Sequence, residues 1–242
     1  MFKISFIIPV CNEVRTIEKA IKEVLSLQRI KKQIIIIDNA SNDGTKKIIK
    51  KFKKIKKVKL IFNKINKGYG NSIIKALKLV DGDYTYIQYA DLEYDISVIN
   101  KMLTIVKNHN VDAVFGSRLF SSKSYQDIFK KVKKKPSFIA TIVCTFLLNI
   151  LYKKKFTDII GAKFYKTSSI KKIKLKSLGQ NFDFELVSKM LKQNCNIKET
   201  LVNYNQRKIP ITDAINRIRE KKIKFYHLFF AIYIILKIKF FE

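Results

Sequence analysis

Two carboxylates, Asp91 and Glu93, follow an apolar run that ends at Gln88. Side chains two residues apart on an extended chain point in the same direction, so we expect both carboxylates to face one site. Carboxylate oxygens are the ligands that hard divalent cations prefer, and a bound cation could in turn hold a diphosphate. These residue types at this spacing therefore favour a sugar-nucleotide enzyme as the first hypothesis.

The elements that must position these carboxylates follow from the pattern of apolar residues. Short, continuous apolar runs are typical of strands buried in a parallel sheet, and they predict strands over residues 4–9, 34–38, 58–62, 84–90 and 111–116. Between them, apolar residues at helical spacing, such as Ile17, Ile21 and Val24, predict amphipathic helices. Strands that alternate with helices through short connections form a parallel sheet with right-handed crossovers. The pattern therefore predicts an α/β fold.

Polar clusters follow four of the predicted strands, at residues 11–13, 38–39, 91–93 and 117–118. Ligands bind beyond the carboxyl ends of the strands in such sheets, so we expect these clusters to face one crevice. Asp38 could accept hydrogen bonds from a base or a ribose. The glycine-containing loop 63–70 precedes a predicted helix and could accommodate phosphate there.

The formal net charge of +31 admits three kinds of partner: nucleic acid, an anionic membrane or a phosphorylated substrate. A coding bias toward Lys and Ile is an alternative that needs no functional explanation, because only six of the 50 basic residues are Arg. The scarce Arg residues are therefore more informative than the lysines. The sequence contains no recognisable nucleic-acid-binding module, so we expect no nucleic acid among the partners.

Cysteine usage and the N-terminal residues both indicate a reducing compartment. Cys11, Cys144 and Cys195 are widely spaced and form no Cys-x-x-Cys pair, which argues against a structural zinc site and against a disulfide framework. The apolar run at residues 4–10 is short and contains Pro9, so it does not predict a signal peptide. We expect a cytoplasmic location.

Two apolar segments, 138–152 and 225–236, leave two interpretations open. Each is too short for a transmembrane helix, which needs about 20 apolar residues. Lysines flank both segments, including the basic run 130–135, and they would suit an interfacial helix whose ends meet lipid phosphates. A buried core helix fits the same lengths equally well. On the first interpretation the protein is peripheral on the inner face of a membrane.

The ordered set of motifs resembles the family 2 glycosyltransferases of the GT-A fold. The resemblance rests on the sequences IIPVCNE, DNASNDGT, NKGYG, ADLEYD and FGSR at residues 7–13, 38–45, 66–70, 90–95 and 115–118. Later segments are similar to the dolichyl-phosphate mannose synthase branch: Thr157-Asp158 with Lys163, FDFE at 182–185 and IKETLVNYNQR at 197–207. The resemblance covers nearly the whole chain to about Arg207.

This resemblance implies a GT-A α/β fold with a mostly parallel central sheet, flanking helices and a C-terminal helical segment that associates with a membrane. It implies a transferase domain over residues 1–209 and a basic, apolar peripheral segment over residues 210–242. The implied reaction moves a sugar from a UDP- or GDP-sugar to a polyprenyl phosphate of the dolichyl or undecaprenyl type.

The resemblance also assigns roles to individual positions. Asp91 and Glu93 would bind Mg²⁺ or Mn²⁺ that bridges the donor diphosphate, while Arg118, Arg207 and Lys163 would contact phosphate, a task that suits the planar fork of Arg. The residues implied for catalysis are Asp91, Arg118 and Arg207. The remaining nucleotide contacts would come from Pro9, Cys11, Glu13, Ile36, Asp38 and Ala90.

Three positions depart from the family pattern. Tyr89 stands where an Asp is usual, Asn39 stands where a second Asp is common, and the residues after Arg207 lack the usual continuation. Two alternatives therefore stay open. One is a degenerate transferase that binds a nucleotide sugar or a partner without efficient turnover, and the other is a transferase that acts on a cell-surface glycan.

Overall fold

A seven-stranded sheet forms the centre of the protein. The computed structural model describes residues 2–120, 138–205 and 226–242. The strands are β1 (Lys3–Val10), β2 (Lys31–Asp38), β3 (Val58–Phe62), β4 (Tyr84–Ile87), β5 (Ala113–Ser117), β6 (Ala162–Lys166) and β7 (Ile197–Leu201). The described helices are α1 (Ile17–Ser26), α2 (Thr45–Lys50), α3 (Tyr69–Leu77), α4 (Val98–Asn108), α5 (Phe138–Tyr152), α6 (Thr167–Lys171), α7 (Phe182–Lys192) and α8 (Tyr226–Phe241).

The sheet is mostly parallel, as the sequence predicts. Its strand order is β3-β2-β1-β4-β6-β5-β7. The pairs β1–β2, β1–β4, β2–β3 and β5–β7 are parallel, whereas β6 runs antiparallel between β4 and β5. The five predicted strands are all present, but β4 ends at Ile87 rather than at residue 90. The strands β6 and β7 are additions that the apolar pattern did not predict.

Helices cover both faces of the sheet, and this explains why the strands are continuously apolar. Side chains alternate between the two faces along each strand. In β1, Phe6 and Ile8 pack in the core beneath α1, α2 and α4, whereas Ile7 packs in the core beneath α3, α5, α7 and α8. Because neither face of the central strands meets solvent, both sets of positions are apolar.

The two apolar segments that begin near residues 138 and 225 form α5 and α8, and each helix has one buried face and one exposed face. Cys144 on α5 and Ile235 on α8 are fully buried in the same core. On the opposite faces, Phe146 is 65% exposed and Phe229 is 68% exposed. The core interpretation is thus confirmed for one face of each helix, whereas contact of the other face with lipid stays a prediction.

None of the helices within the described ranges is long and apolar enough to cross a membrane. The predicted boundary between residues 209 and 210 lies outside the described residues, as does the basic run 130–135. That division of the chain stays a prediction. The described part of the second segment, α8, packs against α7 and α5.

Candidate functional site

Loops that follow β1, β2 and β4 meet at one edge of the sheet and are held in unusual backbone conformations. Asn12, Ala40 and Leu92 have φ values of 54°, 61° and 60°. The left-handed region costs an L-residue roughly 1–2 kcal/mol, and such strain clusters at functional sites. Two hydrogen bonds between the loops after β1 and β2 offset part of this cost: the Asn12 N–H donates to Ser41 Oγ (3.0 Å), and the Asn42 N–H donates to Asn12 Oδ1 (2.9 Å).

A cavity of about 500 Å³ lies at this edge. Its volume falls within the range of about 300–1,000 Å³ that small-molecule sites occupy. Pro9 and Cys11, both predicted to contact a nucleotide, line it. The other lining residues are Val10, Asn12, Asn39, Ala40, Asn66, Gly68, Tyr69, Ser72, Gly179 and Gln180.

Two asparagines fix the loop before α3 over the strand ends. Asn39 Nδ2 donates to Asn66 Oδ1 (2.6 Å), and Asn39 Oδ1 accepts from Asn63 Nδ2 (3.1 Å) and from the Lys67 N–H (3.3 Å). Asn66 Nδ2 also lies 3.5 Å from Cys11 Sγ. An amide at position 39 both donates and accepts in this network, which a carboxylate could not do. In the sequence, Asn39 stands out as part of a polar cluster and as a departure from the family pattern, but its residue type alone does not indicate this role.

Three residues predicted to contact a nucleotide, Glu13, Ile36 and Asp38, do not line this cavity. Asp38 is 1% exposed, with both carboxylate oxygens 3.4 Å from the Ser41 N–H, and Glu13 is 8% exposed and accepts from Thr16 Oγ1 (3.2 Å). Ile36 is fully buried in the core beneath α1 and α2. The alternation along β2 directs this side chain into the helical layer, and its predicted nucleotide contact stays a prediction.

The carboxylate pair is positioned by a turn rather than by an extended strand. Asp91 and Glu93 follow β4, the parallel neighbour of β1, and both are half-buried. Leu92 between them has a positive φ, and the Glu93 N–H donates to Asp91 Oδ1 (3.2 Å). The expectation of an extended chain is therefore wrong, although both carboxylates do lie in one loop. Ala90 is 5% exposed and packs in the core.

The donor set of this loop fits a hard divalent cation. Each carboxylate has two oxygens with several lone pairs, which are the donors that such a cation prefers. Among the described residues no group of three or more His, Cys, Asp or Glu could hold a metal ion. A cation at Asp91 and Glu93 would accordingly take its remaining ligands from water or from the oxygens of a bound diphosphate.

The segment after β7 holds the carboxylate loop in place. Tyr204 Oη donates to Glu93 Oε2 (2.8 Å), and the Asn205 N–H donates to the Glu93 carbonyl (2.8 Å). Tyr204 also forms an antiparallel bridge with Tyr94. Burial, reinforced by the bond to Glu93, raises the pKa of Tyr204. The hydroxyl therefore stays protonated and remains a donor to the carboxylate.

Arg118 lies within this region, but its fork binds a protein carboxylate. Nε donates to Asp158 Oδ2 (2.6 Å) and Nη2 donates to Asp158 Oδ1 (2.9 Å). The guanidinium lies 4.4 Å from the centre of the Phe138 ring. Asp158 is fully buried and also accepts from the Ile160 N–H (2.9 Å). The guanidinium thus forms a buried ion pair, whose bidentate geometry suits the Arg fork. Its predicted phosphate contact stays a prediction.

Lys163 is likewise paired inside the protein, and its predicted phosphate contact stays a prediction. It is fully buried in β6, where its Nζ lies 3.1 Å from Asp183 Oδ1 and 3.4 Å from Tyr89 Oη. Burial alone would lower the pKa of Lys163, but the Asp183 carboxylate and the Tyr89 hydroxyl outweigh it and raise that pKa. Tyr89, the residue that departs from the family pattern, thus supports a buried cation and stacks on Tyr69, which lines the cavity. Arg207 lies outside the described residues.

Comparison with known proteins agrees with this arrangement. Residues 5–174 match the model of the family described as "Glycosyl transferase family 2". The chain is 29% identical over 227 residues to an uncharacterized protein of Methanocaldococcus jannaschii, covering 90% of this chain and 93% of that protein. It is 31% identical over 117 residues to dolichol-phosphate mannosyltransferase of Pyrococcus furiosus, covering 48% of this chain and only 33% of that enzyme.

A solved structure with the same fold is that of glucosyl-3-phosphoglycerate synthase from Mycobacterium tuberculosis in complex with Mn²⁺, uridine diphosphate and phosphoglyceric acid. The two chains align with a TM-score of 0.66 at 12% identity, and the alignment covers 100% of this chain and 80% of that one. At this identity the likeness concerns the fold alone. It confirms the expected GT-A architecture.

Replacing Asp158 with Asn should destabilise the protein strongly, because it leaves the buried Arg118 cation without a counter-charge. Breaking a buried pair in this way costs about 3–5 kcal/mol, measurable as the free energy of unfolding in urea. As a control, Glu18→Gln removes an exposed pair with Lys22 and should change stability little. A similar small effect for both variants would contradict a structural role for Asp158.

The same pair predicts a pH dependence. Burial tends to raise the pKa of Asp158, but Arg118 and the backbone donors outweigh it, so the folded-state pKa lies below its ordinary value. The stabilisation is therefore fully present above the unfolded pKa of about 3.9 and is lost as the pH falls through the folded pKa. The stability difference between wild type and Asp158→Asn should accordingly narrow in acid. A difference that widens below pH 4 would contradict this account.

Proposed function

Because the chain belongs to glycosyl transferase family 2, we propose that it transfers a sugar from a UDP- or GDP-sugar to the phosphate oxygen of a polyprenyl phosphate. The observation that carries the proposal is the 500 Å³ cavity at the carboxyl ends of β1 and β2, on the sheet edge from which the Asp91–Glu93 loop also leaves. A nucleoside fits the cavity, and its diphosphate fits the carboxylate loop.

The cavity lining suits a nucleoside. Asn39 and Asn66 place amide groups, which both donate and accept hydrogen bonds, at its wall. Pro9 and Tyr69 supply flat apolar surface for a base or a ribose. The binding of uridine diphosphate by the M. tuberculosis neighbour supports a nucleotide in this fold. The proposal covers both uridine and guanosine donors.

Asp91 and Glu93 would hold Mg²⁺ or Mn²⁺, and the presence of Mn²⁺ in the neighbour's complex supports a divalent ion. Such an ion, when bound, neutralises the charge that develops on the leaving diphosphate. Tyr204 keeps Glu93 in place for this role. Arg207 follows Asn205 by two residues, and the Asn205 N–H bonds to Glu93. That connection supports the proposal that Arg207 contacts the donor phosphates.

The reaction we propose is a single displacement at the anomeric carbon. An acceptor phosphate oxygen forms the new bond to this carbon while the bond to the nucleoside diphosphate breaks, and the electron pair leaves with the diphosphate. The acceptor oxygen is already an anion, so no strong general base is required. Asp183 is a buried acid near Tyr89, but its carboxylate forms an ion pair with Lys163, so we assign it no role as a base.

A polyprenyl acceptor is supported by the P. furiosus relative, whose name specifies dolichol phosphate, and by the apolar outer faces of α5 and α8. With Lys153, Lys154 and Lys155 just beyond α5, these faces suit a peripheral position on the cytoplasmic side of a membrane. One alternative is a transferase with a glycan acceptor, and another is a protein that binds the nucleotide sugar without turnover. Tyr89, which stands where the family has Asp, motivates the binding protein, but in the structure its hydroxyl contacts Lys163.

A thermal-shift screen should identify the donor class. A ligand present at 100 times its dissociation constant stabilises the folded state by about 2.7 kcal/mol, so one series, UDP- or GDP-sugars, should raise the melting temperature when Mn²⁺ or Mg²⁺ is added. Asp91→Asn should lose the part of the shift that depends on the metal while keeping the melting temperature of the free protein. If neither series shifts wild type at millimolar concentration, the proposed donor is wrong.

Tyr204→Phe should weaken metal binding without removing a ligand. Losing a hydrogen bond that orients a ligand typically costs 10- to 100-fold in metal affinity, and Mn²⁺ titration followed by electron paramagnetic resonance with a bound nucleotide measures it directly. The matched control is Tyr233→Phe, a tyrosine on α8 that is 55% exposed. Unchanged Mn²⁺ affinity in Tyr204→Phe would show that Glu93 does not depend on this hydroxyl.

A further inference from the structure

A second cavity, of about 490 Å³, lies between the loop before α7 and the helix α8. Its apolar wall is formed by Phe230, Tyr233, Ile234 and Ile238 of α8, and Leu178 lines it from the loop. We call this cavity the α8 groove. Phe230 is 51% exposed, Tyr233 55% and Leu178 46%. Exposed large apolar side chains that converge on one concavity mark a ligand or partner site.

One short loop separates the α8 groove from the cavity at the sheet edge. Gly179 and Gln180 line both cavities. The loop is packed tightly onto the start of α3: a Cβ on Gly68 would lie 2.4 Å from the Leu178 carbonyl oxygen, and one on Gly70 would lie 2.2 Å from the Ser177 carbonyl oxygen. The Asn71 N–H also donates to the Leu178 carbonyl (3.0 Å). A ligand in the α8 groove would therefore lie one loop away from the sheet-edge cavity.

The charges around the α8 groove favour an apolar chain with an anionic end. The two acidic residues of its lining, Glu185 and Glu242, are both paired with Lys189, at 2.7 Å and 3.2 Å. Lys176 and Lys237 add two cations to the lining. The local balance is therefore positive beside an aromatic wall, a combination that would repel a cationic amphiphile and attract an anionic one.

We propose that the α8 groove binds the isoprenoid chain of the polyprenyl-phosphate acceptor and so holds the acceptor beside Gly179 and Gln180, one loop away from the donor cavity. This inference rests on the proposed transferase function and specifies where its acceptor is held. The volume of the groove lies within the range of small-molecule sites and accommodates the isoprene units nearest the phosphate. The rest of a long chain would leave the groove along the exposed aromatics.

Adjacent phenylalanines on α8 provide a matched pair of variants. Phe230 lines the groove, whereas Phe229, 68% exposed, does not. Phe230→Ser and Phe229→Ser remove the same side chain from neighbouring exposed positions, so both should fold. Binding of a fluorescent farnesyl phosphate would be measured without donor, and KM and kcat would be measured with undecaprenyl phosphate in detergent micelles. The donor-induced thermal shift is the control for an intact nucleotide site.

Phe230→Ser should weaken farnesyl phosphate binding and raise the KM for undecaprenyl phosphate by about tenfold, the equivalent of about 1.4 kcal/mol, with kcat and the donor shift unchanged. Phe229→Ser should change both quantities less than twofold. Equal losses in the two variants, together with equal loss of sedimentation with phosphatidylglycerol vesicles, would overturn the groove in favour of a general membrane contact. Unchanged binding and KM in both variants, in an enzyme that does use undecaprenyl phosphate, would overturn the groove alone.

If the assignment of the acceptor is wrong, the same measurements give a different set of results. If wild type shows the donor shift and binds farnesyl phosphate through Phe230 but transfers sugar only to a soluble glycan, the groove is supported and the acceptor assignment fails. If wild type shows the donor shift but binds no isoprenoid phosphate, the groove is overturned and the donor site stands.

Discussion

The parallel register of β1, β2 and β4 is the constraint on which the candidate site depends. Val10 lies beside Asp38, Asp38 beside Phe62, and Ile7 beside Ile87, so the strands release their loops at one edge of the sheet. Loops that are distant in sequence therefore meet in space, and each contains a residue in the left-handed conformation. A register shift of one residue would exchange the two faces of a strand and bury its polar end.

Buried charge pairs extend this arrangement to the second half of the sheet. Arg118 after β5 binds Asp158 before β6, and Lys163 within β6 pairs with Asp183 at the start of α7. Each charge would be costly to bury alone, so each pair dictates where its two segments lie. The chain has 19 acidic and 50 basic residues, and it commits two of its few acids to these pairs. Most lysines in the described part of the chain are exposed, in keeping with phosphorylated ligands and anionic lipid.

The helices α5 and α8 combine a core face with an exposed apolar face, so each fits both the core interpretation and the interfacial one. One face of each helix completes the core against α7 and the sheet, and the other exposes large apolar side chains. The inner face of α8 stabilises the fold, while its position beside the loop before α7 creates a groove next to the cavity at the sheet edge. An acceptor that is both apolar and anionic would make use of these two properties together.

The sequence by itself determined the α/β class, the five strands of the first half and the polar clusters at their ends, because apolar periodicity and turn chemistry are local properties. It also singled out Asp91, Glu93, Pro9 and Cys11, which the structure brings to the crevice edge. Only the tertiary structure decided that Arg118 and Lys163 bind internal carboxylates, that Ile36 lies in the core, and that Tyr89 and Asn39 complete hydrogen-bond networks. The strands β6 and β7 likewise needed the fold, since β6 is stabilised by pairing with β4 and β5, far away in sequence. A charged side chain takes whichever partner folding brings within reach, and its residue type alone does not specify that partner.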